Sequence, residues 1–166
     1  MFGPISRRPT KATPLTTAPH LLIIDARFYE TIADTLVTGA EAALDAAAAT
    51  HDRVSVPGVL EIPAALAMAL GTRGDSYDGY VVLGCVIRGE TTHYDIVAEQ
   101  SARTIMNIVV RHSLALGNGI LTVEDKRQAQ TRARVAGRNK GGQAAKAALV
   151  MIELRRDLLL HRHPGR

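Results

Sequence analysis

Short apolar runs alternate with longer amphipathic stretches along most of this chain. Three of the runs are almost wholly aliphatic, and a fourth alternates valine with polar residues. Runs of this length, bounded by polar, glycine or proline residues, are typical of strands in a sheet. The predicted strands cover residues 21–24, 53–56, 80–83 and 120–123.

Apolar residues between these runs recur at helical spacing, as at Ile32, Leu36 and Ala40. Pro63 suits the first turn of a helix, and glycines are common where helices end, so the Gly-Asn-Gly sequence at 117–119 should close the third helix. The predicted helices cover residues 29–49, 63 to Gly71 or Gly74, 93–116, 126–134 and 139–160.

This order of elements predicts an α/β fold with one parallel sheet and helices on both of its faces. A chain of 166 residues suits a single domain, which we place at residues 20–160. Four prolines between residues 4 and 19 disfavour both helix and central strand, so residues 1–19 should form an extended arm, suited to lie on a neighbouring subunit. Residues 161–166 form a basic C-terminal tail.

The composition excludes several classes of site. Cys85 is the only cysteine, so no intrachain disulfide can form, and its apolar surroundings favour a buried thiol over a reactive one. The chain has neither a GxGxxG nor a GxxxxGK[ST] sequence, and no HExxH or comparable spacing of metal ligands. We therefore expect neither a nucleotide cofactor nor a metal.

The net charge of +4 and the isoelectric point near 9.6 raise the question of nucleic acid. Much of the positive excess lies near the two ends of the chain, and no basic face is interleaved with aromatic residues, so we expect no nucleic-acid binding. No apolar run approaches the roughly 18 residues of a membrane helix. The basic N-terminal segment is followed by no apolar stretch, which argues against a secretory signal. These features predict a cytoplasmic protein that does not bind membranes.

The segment from Gly84 to Asp95 is the most informative part of the chain. It reads as a strand that runs into a glycine-containing loop, followed by Thr91, Thr92 and His93 at the start of a long helix. A helix start offers unpaired N–H groups to an anion such as phosphate, and its dipole disfavours a cationic histidine. A phosphate site beside an acid/base group is one interpretation, and a capping threonine beside a surface histidine is the other. The residues alone leave both open.

Three further segments carry candidate chemistry at or near strand ends. Phe28 follows the first strand and could stack on a planar heterocycle or simply pack against its own helix. Glu61 stands just before a helix, where it could bind hydroxyl groups or complement the helix dipole. Arg132 and Lys140 lie in a basic run that could grip a phosphate or form a solvated face.

Two of these segments resemble the conserved motifs of the 6,7-dimethyl-8-ribityllumazine synthase family. Residues 56–63 are similar to its PGxxEIP loop, and residues 83–95 to its LGxVIRGxTxHxD segment. Shorter blocks at 25–28, 118–124 and 139–141 match in the same order, so that the likeness covers residues 20–157.

The resemblance implies a flavodoxin-like three-layer α/β/α sandwich with a four-stranded parallel sheet. The implied reaction joins 5-amino-6-(D-ribitylamino)uracil to 3,4-dihydroxy-2-butanone 4-phosphate, releases phosphate and water, and needs no cofactor. His93 would transfer protons, Phe28 would stack on the pyrimidine, and Glu61 would bind the ribityl chain. The other implied substrate-binding residues are Val59, Leu60, Cys85, Val86 and Ile87 through backbone groups, Glu90, Thr91, Thr92, Arg132 and Lys140 around the phosphate, and Asn118.

The family's active sites lie between adjacent subunits, so Asn118, Arg132 and Lys140 would come from a neighbour, and a pentamer is the implied basic unit. The resemblance also admits an association with riboflavin synthase. Three departures stand out: Tyr29 replaces a common asparagine, Asn118 replaces a phenylalanine found in some members, and residues 134–138 are unusually basic. The basic turn leads us to expect free pentamers or pairs of pentamers rather than a 60-subunit shell.

A second function stays open at this point. A divergent member of the family could bind a flavin or a lumazine for storage or regulation, with little turnover. The joint presence of Phe28, Glu61, His93 and Arg132 favours the enzyme.

Overall fold

The structure is a computed structural model, and it describes residues 18–73 and 76–160. The predicted tail at 161–166, all but two residues of the predicted arm at 1–19, and Gly74 lie outside the described residues. No helix in the described part of the chain combines the length and the apolar character that crossing a membrane would require.

Four parallel strands form one sheet in the order β2-β1-β3-β4. This order follows the flavodoxin-like pattern, in which the second strand lies outside the first and the third strand pairs with the first on its other side. The predicted α/β fold with a four-stranded parallel sheet is therefore confirmed. The strands are β1 (His20–Ala26), β2 (Thr50–Val56), β3 (Gly79–Ile87) and β4 (Leu116–Val123).

Helices cover both faces of the sheet and make it a three-layer sandwich. The helices are α1 (Glu30–Asp45), α2 (Ile62–Arg73), α3 (His93–His112), α4 (Lys126–Ala133) and α5 (Lys140–Leu160), with a short 3-10 turn at Val59–Glu61. Side chains alternate across β1 and β3, so Leu21 and Ile23 pack against α1, α4 and α5, whereas Leu22 and Ile24 pack against α2 and α3. β1 and β3 thus each contribute to two apolar cores, one on either face of the sheet.

Several predicted boundaries need correction. The first helix ends at Asp45 rather than at residue 49. Of the two ends predicted for the second helix, Gly71 is wrong, whereas α2 ends at Arg73, next to the alternative Gly74. β2 begins at Thr50 instead of 53, and β3 extends beyond residue 83 to Ile87, so Cys85–Ile87 belong to a strand and not to a loop.

The largest error concerns the end of the third helix. α3 stops at His112, followed by Ser113 in a left-handed conformation with φ 52°. The buried residue Ala115 already accepts a hydrogen bond from the N–H of Tyr80 (2.9 Å), so the chain has joined the sheet before residue 116. The Gly-Asn-Gly sequence at 117–119 consequently lies within β4 and does not close the helix.

Close packing against α5 explains why glycines occupy β4. A Cβ atom at Gly117 would overlap the backbone oxygen of Ala144, and one at Gly119 would lie 3.0 Å from the Ala144 side chain. Small residues on both elements, including Ala148, let the helix lie directly on the strand. The glycines at 117 and 119 are therefore needed for the close approach of the β4 and α5 backbones and not for a helix end.

We expect Gly117→Ala to destabilise the fold by about 1–3 kcal/mol, because the added methyl group must push α5 away from β4. Gly71→Ala is the matched control, since its Cβ would meet nothing within 4 Å on an exposed helix position. That change should be neutral or stabilise α2 by up to about 1 kcal/mol. Denaturant unfolding measures both, and equal stability of the two variants would contradict this account of β4.

Candidate active site

A cleft of about 300 Å³ lies at the carboxyl ends of β1 and β3, next to the start of α3. Parallel sheets of this kind bind ligands at this edge, near the point where the strand order reverses. Three chain segments supply most of its wall: the residues after β1, the 3-10 turn, and the end of β3 with the beginning of α3. The lining residues are Phe28, Tyr29, Gly58, Val59, Leu60, Glu61, Cys85, Val86, Ile87, Gly89, Thr91, His93, Tyr94 and Val97.

Nine of the fourteen predicted site residues line this one cleft. These residues are far apart in the sequence, but they lie close together because the carboxyl ends of parallel strands meet at one edge of the sheet. The nine are Phe28, Val59, Leu60, Glu61, Cys85, Val86, Ile87, Thr91 and His93.

The ring of Phe28 is the most exposed apolar feature of the cleft, with 73% of its surface accessible. It contacts Tyr29 edge to face, with ring centroids 4.9 Å apart. A merely structural phenylalanine would be expected to pack into a core. Exposure of a flat apolar face beside a cleft instead suits stacking on a planar ring.

Ion pairs hold the segment that carries Phe28. Arg27 donates to Asp34 of α1 at 2.6 Å and lies 3.4 Å from Asp25, which is fully buried at the end of β1. Arg53 of β2 donates twice to the same Asp25 carboxylate, at 2.8 and 3.0 Å. Burial opposes ionisation of Asp25, but the hydrogen bonds from Arg53 and from Ser55 outweigh it and lower its pKa, so the carboxylate stays charged.

Glu61 ends the 3-10 turn and is exposed at the cleft, whereas Val59 of the same turn is buried. Within the described part of the chain, the Glu61 carboxylate accepts no hydrogen bond and forms no ion pair. A carboxylate left available in this way can accept hydrogen bonds from hydroxyl groups of a ligand.

The start of α3 faces the cleft with two groups that sequence reasoning singled out. His93 is the first residue of α3, and its N–H donates to Thr91 Oγ1 over 3.4 Å, a weak capping contact. Thr92 occupies the N-cap position without a side-chain capping bond. The N–H groups of Asp95 and Ile96 donate to the backbone oxygen of Thr92 (3.1 and 3.4 Å), so the helix start is only loosely capped by side chains and leaves the N–H groups of His93 and Tyr94 to an anion.

Cys85 lies in the wall of the cleft as a buried, neutral thiol. Burial raises its pKa to about 12, so the thiolate is scarce at neutral pH. The prediction that Cys85 is a buried rather than a reactive thiol agrees with this environment. If Cys85 contacts a ligand, it does so through its backbone groups.

Among the residues that the structure describes, no arginine or lysine lines the cleft. The five predicted site residues outside it fall into two groups. Glu90 and Thr92 are exposed on the loop directly beside lining residues. Asn118, Arg132 and Lys140 lie on other elements and do not reach the cleft of their own chain.

These last three residues have local partners instead. Asn118 Oδ1 accepts from the N–H of Ile120 (2.9 Å) on the outer strand β4. Arg132 donates to the backbone oxygen of Gln128 (3.2 Å), and Lys140 to Gln143 Oε1 (2.9 Å). Arg132 and Lys140 thus donate to neutral oxygen atoms and not to a carboxylate, so their positive charges are available to another partner.

Five residues that line the cleft were not among the predicted site residues: Tyr29, Gly58, Gly89, Tyr94 and Val97. Gly58 and Gly89 lie in the two segments that resemble the family motifs but had been given no role in the site. Tyr29 had been noted only as a departure from the family pattern, and Tyr94 and Val97 had not been considered. Val97 could have been found, because it lies four residues after His93 and so on the same side of the helix.

The described residues thus form a flavodoxin-like α/β protein with a cleft at the carboxyl ends of β1 and β3. The family model described as 6,7-dimethyl-8-ribityllumazine synthase matches residues 18–156 of the chain.

Relatives bearing that name are similar over most of their length. The 6,7-dimethyl-8-ribityllumazine synthase 1 of Rhizobium meliloti (strain 1021) is 61% identical over 142 residues, 84% of this chain and 93% of the relative. The synthase of Agrobacterium fabrum is 57% identical, covering 84% and 97%, and that of Methylobacterium radiotolerans is 54% identical, covering 89% of each. The chain belongs to the 6,7-dimethyl-8-ribityllumazine synthase family.

The environment of Cys85 leads to a direct prediction. At pH 7–8 iodoacetamide should leave the native protein almost unlabelled, because the thiol is buried and its pKa is near 12. The same reagent should label Cys85 quantitatively after unfolding in guanidinium chloride. Mass spectrometry measures both, and rapid labelling of the native protein would show that the thiol is accessible.

Proposed function

We propose that the protein is a 6,7-dimethyl-8-ribityllumazine synthase. It joins 5-amino-6-(D-ribitylamino)uracil to 3,4-dihydroxy-2-butanone 4-phosphate and releases phosphate and water, the penultimate step of riboflavin biosynthesis. The observation that supports this most is the shared cleft of Phe28, Glu61 and His93, which places an exposed ring, an available carboxylate and an acid/base group around one volume. A single cysteine without a disulfide partner suits the reducing cytoplasm, where we place the reaction.

The uracil occupies the side of the cleft formed by the residues after β1 and by the 3-10 turn. Its planar ring stacks on Phe28, and its ribityl hydroxyl groups donate to Glu61. Backbone groups hold the remaining polar edges, which is consistent with walls of apolar side chains. These backbone groups belong to Val59, Leu60, Cys85, Val86 and Ile87.

The phosphate occupies the other side, at the start of α3. Glu90 and Thr91 act through main-chain N–H groups, since the Glu90 carboxylate itself would repel a phosphate. Thr92 contributes a hydroxyl group from the same turn. Arg132, with Lys140 near it, supplies the cationic charge that the lining of the cleft lacks.

His93 donates and accepts the protons that the reaction transfers. The uracil's amine attacks the ketone to form an imine, phosphate leaves by elimination, and the enol product tautomerises before the ring closes. Each of these steps moves a proton, and a histidine at this position can both accept and donate one. Positioning the two substrates supplies much of the remaining rate enhancement.

The site is completed by a second copy of the chain. Asn118, Arg132 and Lys140 do not reach the cleft of their own chain, yet the cleft needs a cation to hold a phosphate dianion. Identical head-to-tail contacts close into a ring, for which we propose a pentamer. The exposed basic residues Arg134 and Arg138 would repel their counterparts where rings meet, so we favour free or paired pentamers over a larger shell.

Wild-type protein mixed with the two substrates should release inorganic phosphate and form the fluorescent lumazine in equal amounts. His93→Ala should slow this turnover by about ten- to a few-hundred-fold without loss of folding, because acid/base assistance is only part of the catalysis. His112→Ala at the far end of the same helix is the matched control and should keep wild-type rates.

Two results would count against these assignments. Tight binding of the lumazine by wild-type protein without any phosphate release would favour a storage or regulatory role. Unchanged steady-state rates in the His93→Ala variant would remove His93 from the mechanism.

A further inference from the structure

Arg88 joins three separate parts of the wall around the cleft. Its Nε donates to Glu124 just after β4 (3.0 Å), and its Nη1 lies 3.4 Å from Asp95 in the first turn of α3. The guanidinium carbon lies 4.1 Å from the centre of the Tyr94 ring, and Tyr94 itself lines the cleft. One side chain thus connects the ends of β3 and β4 with the start of α3.

The loop that follows Arg88 has few contacts of its own. The residues from Gly89 to Thr92 are exposed, and a Cβ atom at Gly89 would meet nothing within 4 Å. The contact between Thr91 Oγ1 and the N–H of His93 is long, at 3.4 Å. Arg88 fixes the first end of the loop, also through its own N–H to the oxygen of Val123 (2.9 Å), and its bond to Asp95 fixes the other end.

The charges around Arg88 argue against a direct role in binding phosphate. One guanidinium faces two carboxylates, those of Glu124 and Asp95, so the cluster as a whole is negative. Its flat face is occupied by Tyr94, and Arg88 is not among the residues that line the cleft. An arginine held in this way is a poor phosphate ligand but a good structural link.

We propose that Arg88 is a positioning residue that sets the distance between the phosphate-binding loop and His93 through Glu124, Asp95 and Tyr94. This inference rests on the proposed function, in which Glu90, Thr91 and Thr92 receive the phosphate. The Asp95 and Glu124 carboxylates are largely exposed, whereas Tyr94 is half-buried against the core, so the two ion pairs add little to overall stability and their effect is local.

A double-mutant cycle tests this proposal, with Arg88→Met, Glu124→Gln and the combined variant. Arg88→Met should raise KM for the butanone phosphate and Kd for inorganic phosphate about tenfold, and Glu124→Gln about threefold. The combined variant should be no worse than Arg88→Met, because both changes remove the same link. KM for the ribitylaminouracil should stay within about twofold of wild type.

Arg88→Lys separates a link from a simple charge. A lysine keeps the positive charge but cannot bridge both carboxylates with a planar fork, so phosphate affinity should recover only in part. Arg103→Met and Glu99→Gln are the matched controls, because this exposed Arg–Glu pair lies on α3 away from the cleft. Both should keep wild-type kinetics and wild-type affinity for phosphate.

Additive effects of Arg88→Met and Glu124→Gln would overturn the proposal, as would full recovery in Arg88→Lys. Tighter phosphate binding in Glu124→Gln would overturn it too, since a released Arg88 would then be acting as a ligand. Thermal melting identifies any variant that fails to fold, and Glu124→Gln, which removes only a charge, keeps the test decisive in that case. Absence of turnover in wild type would refute the proposed function, whereas the phosphate titrations would still test the link.

Discussion

The parallel pairing of β3 with a neighbour on each side is the constraint on which the site depends. β3 is buried along almost its whole length and pairs with β1 from Gly79 to Leu83 and with β4 from Tyr80 to Ile87. Because all four strands run in the same direction, their carboxyl ends meet at one edge of the sheet. The ring of Phe28, the walls around Cys85 and the start of α3 converge there for that reason alone.

Networks of charge then hold the rim of this cleft on two sides. Near β1, the buried Asp25 binds Arg53 and Arg27, and Arg27 continues to Asp34 at the surface. Near β3, Arg88 holds the ends of the loop that leads into α3. Of the described residues that line the cleft, Glu61 and His93 are the exposed ionisable side chains other than tyrosine. The positive charge that stabilises the walls is thus kept apart from the space that a phosphate would enter, and another source of charge is needed there.

Much of this arrangement follows from the sequence, because the relevant signals are local. The aliphatic runs mark β1 and β3, Pro63 marks the start of α2, and the resemblance to the family places Phe28, Glu61 and His93 at strand ends. The predictions were wrong where one residue type is found in two different structural settings, as glycine is at helix ends and at close contacts between backbones. Gly117 was predicted to end a helix, but it lies in β4 because a helix crosses over its backbone. The role of Arg88 depends on Glu124, 36 residues away, and no local pattern indicates that contact.

The central claim is that the cleft of one chain is completed by Arg132 of another, and mixed oligomers test it most directly. His93→Ala chains, which should be at least about tenfold slower than wild type, and Arg132→Ala chains, which should bind the butanone phosphate poorly, are co-expressed in equal amounts and assayed for phosphate release at limiting butanone phosphate. In a randomly mixed ring about one quarter of the sites combine an intact His93 with a neighbour's intact Arg132, so activity should rise to about a quarter of wild type. Activity no higher than the mean of the two separate variants would contradict a shared site.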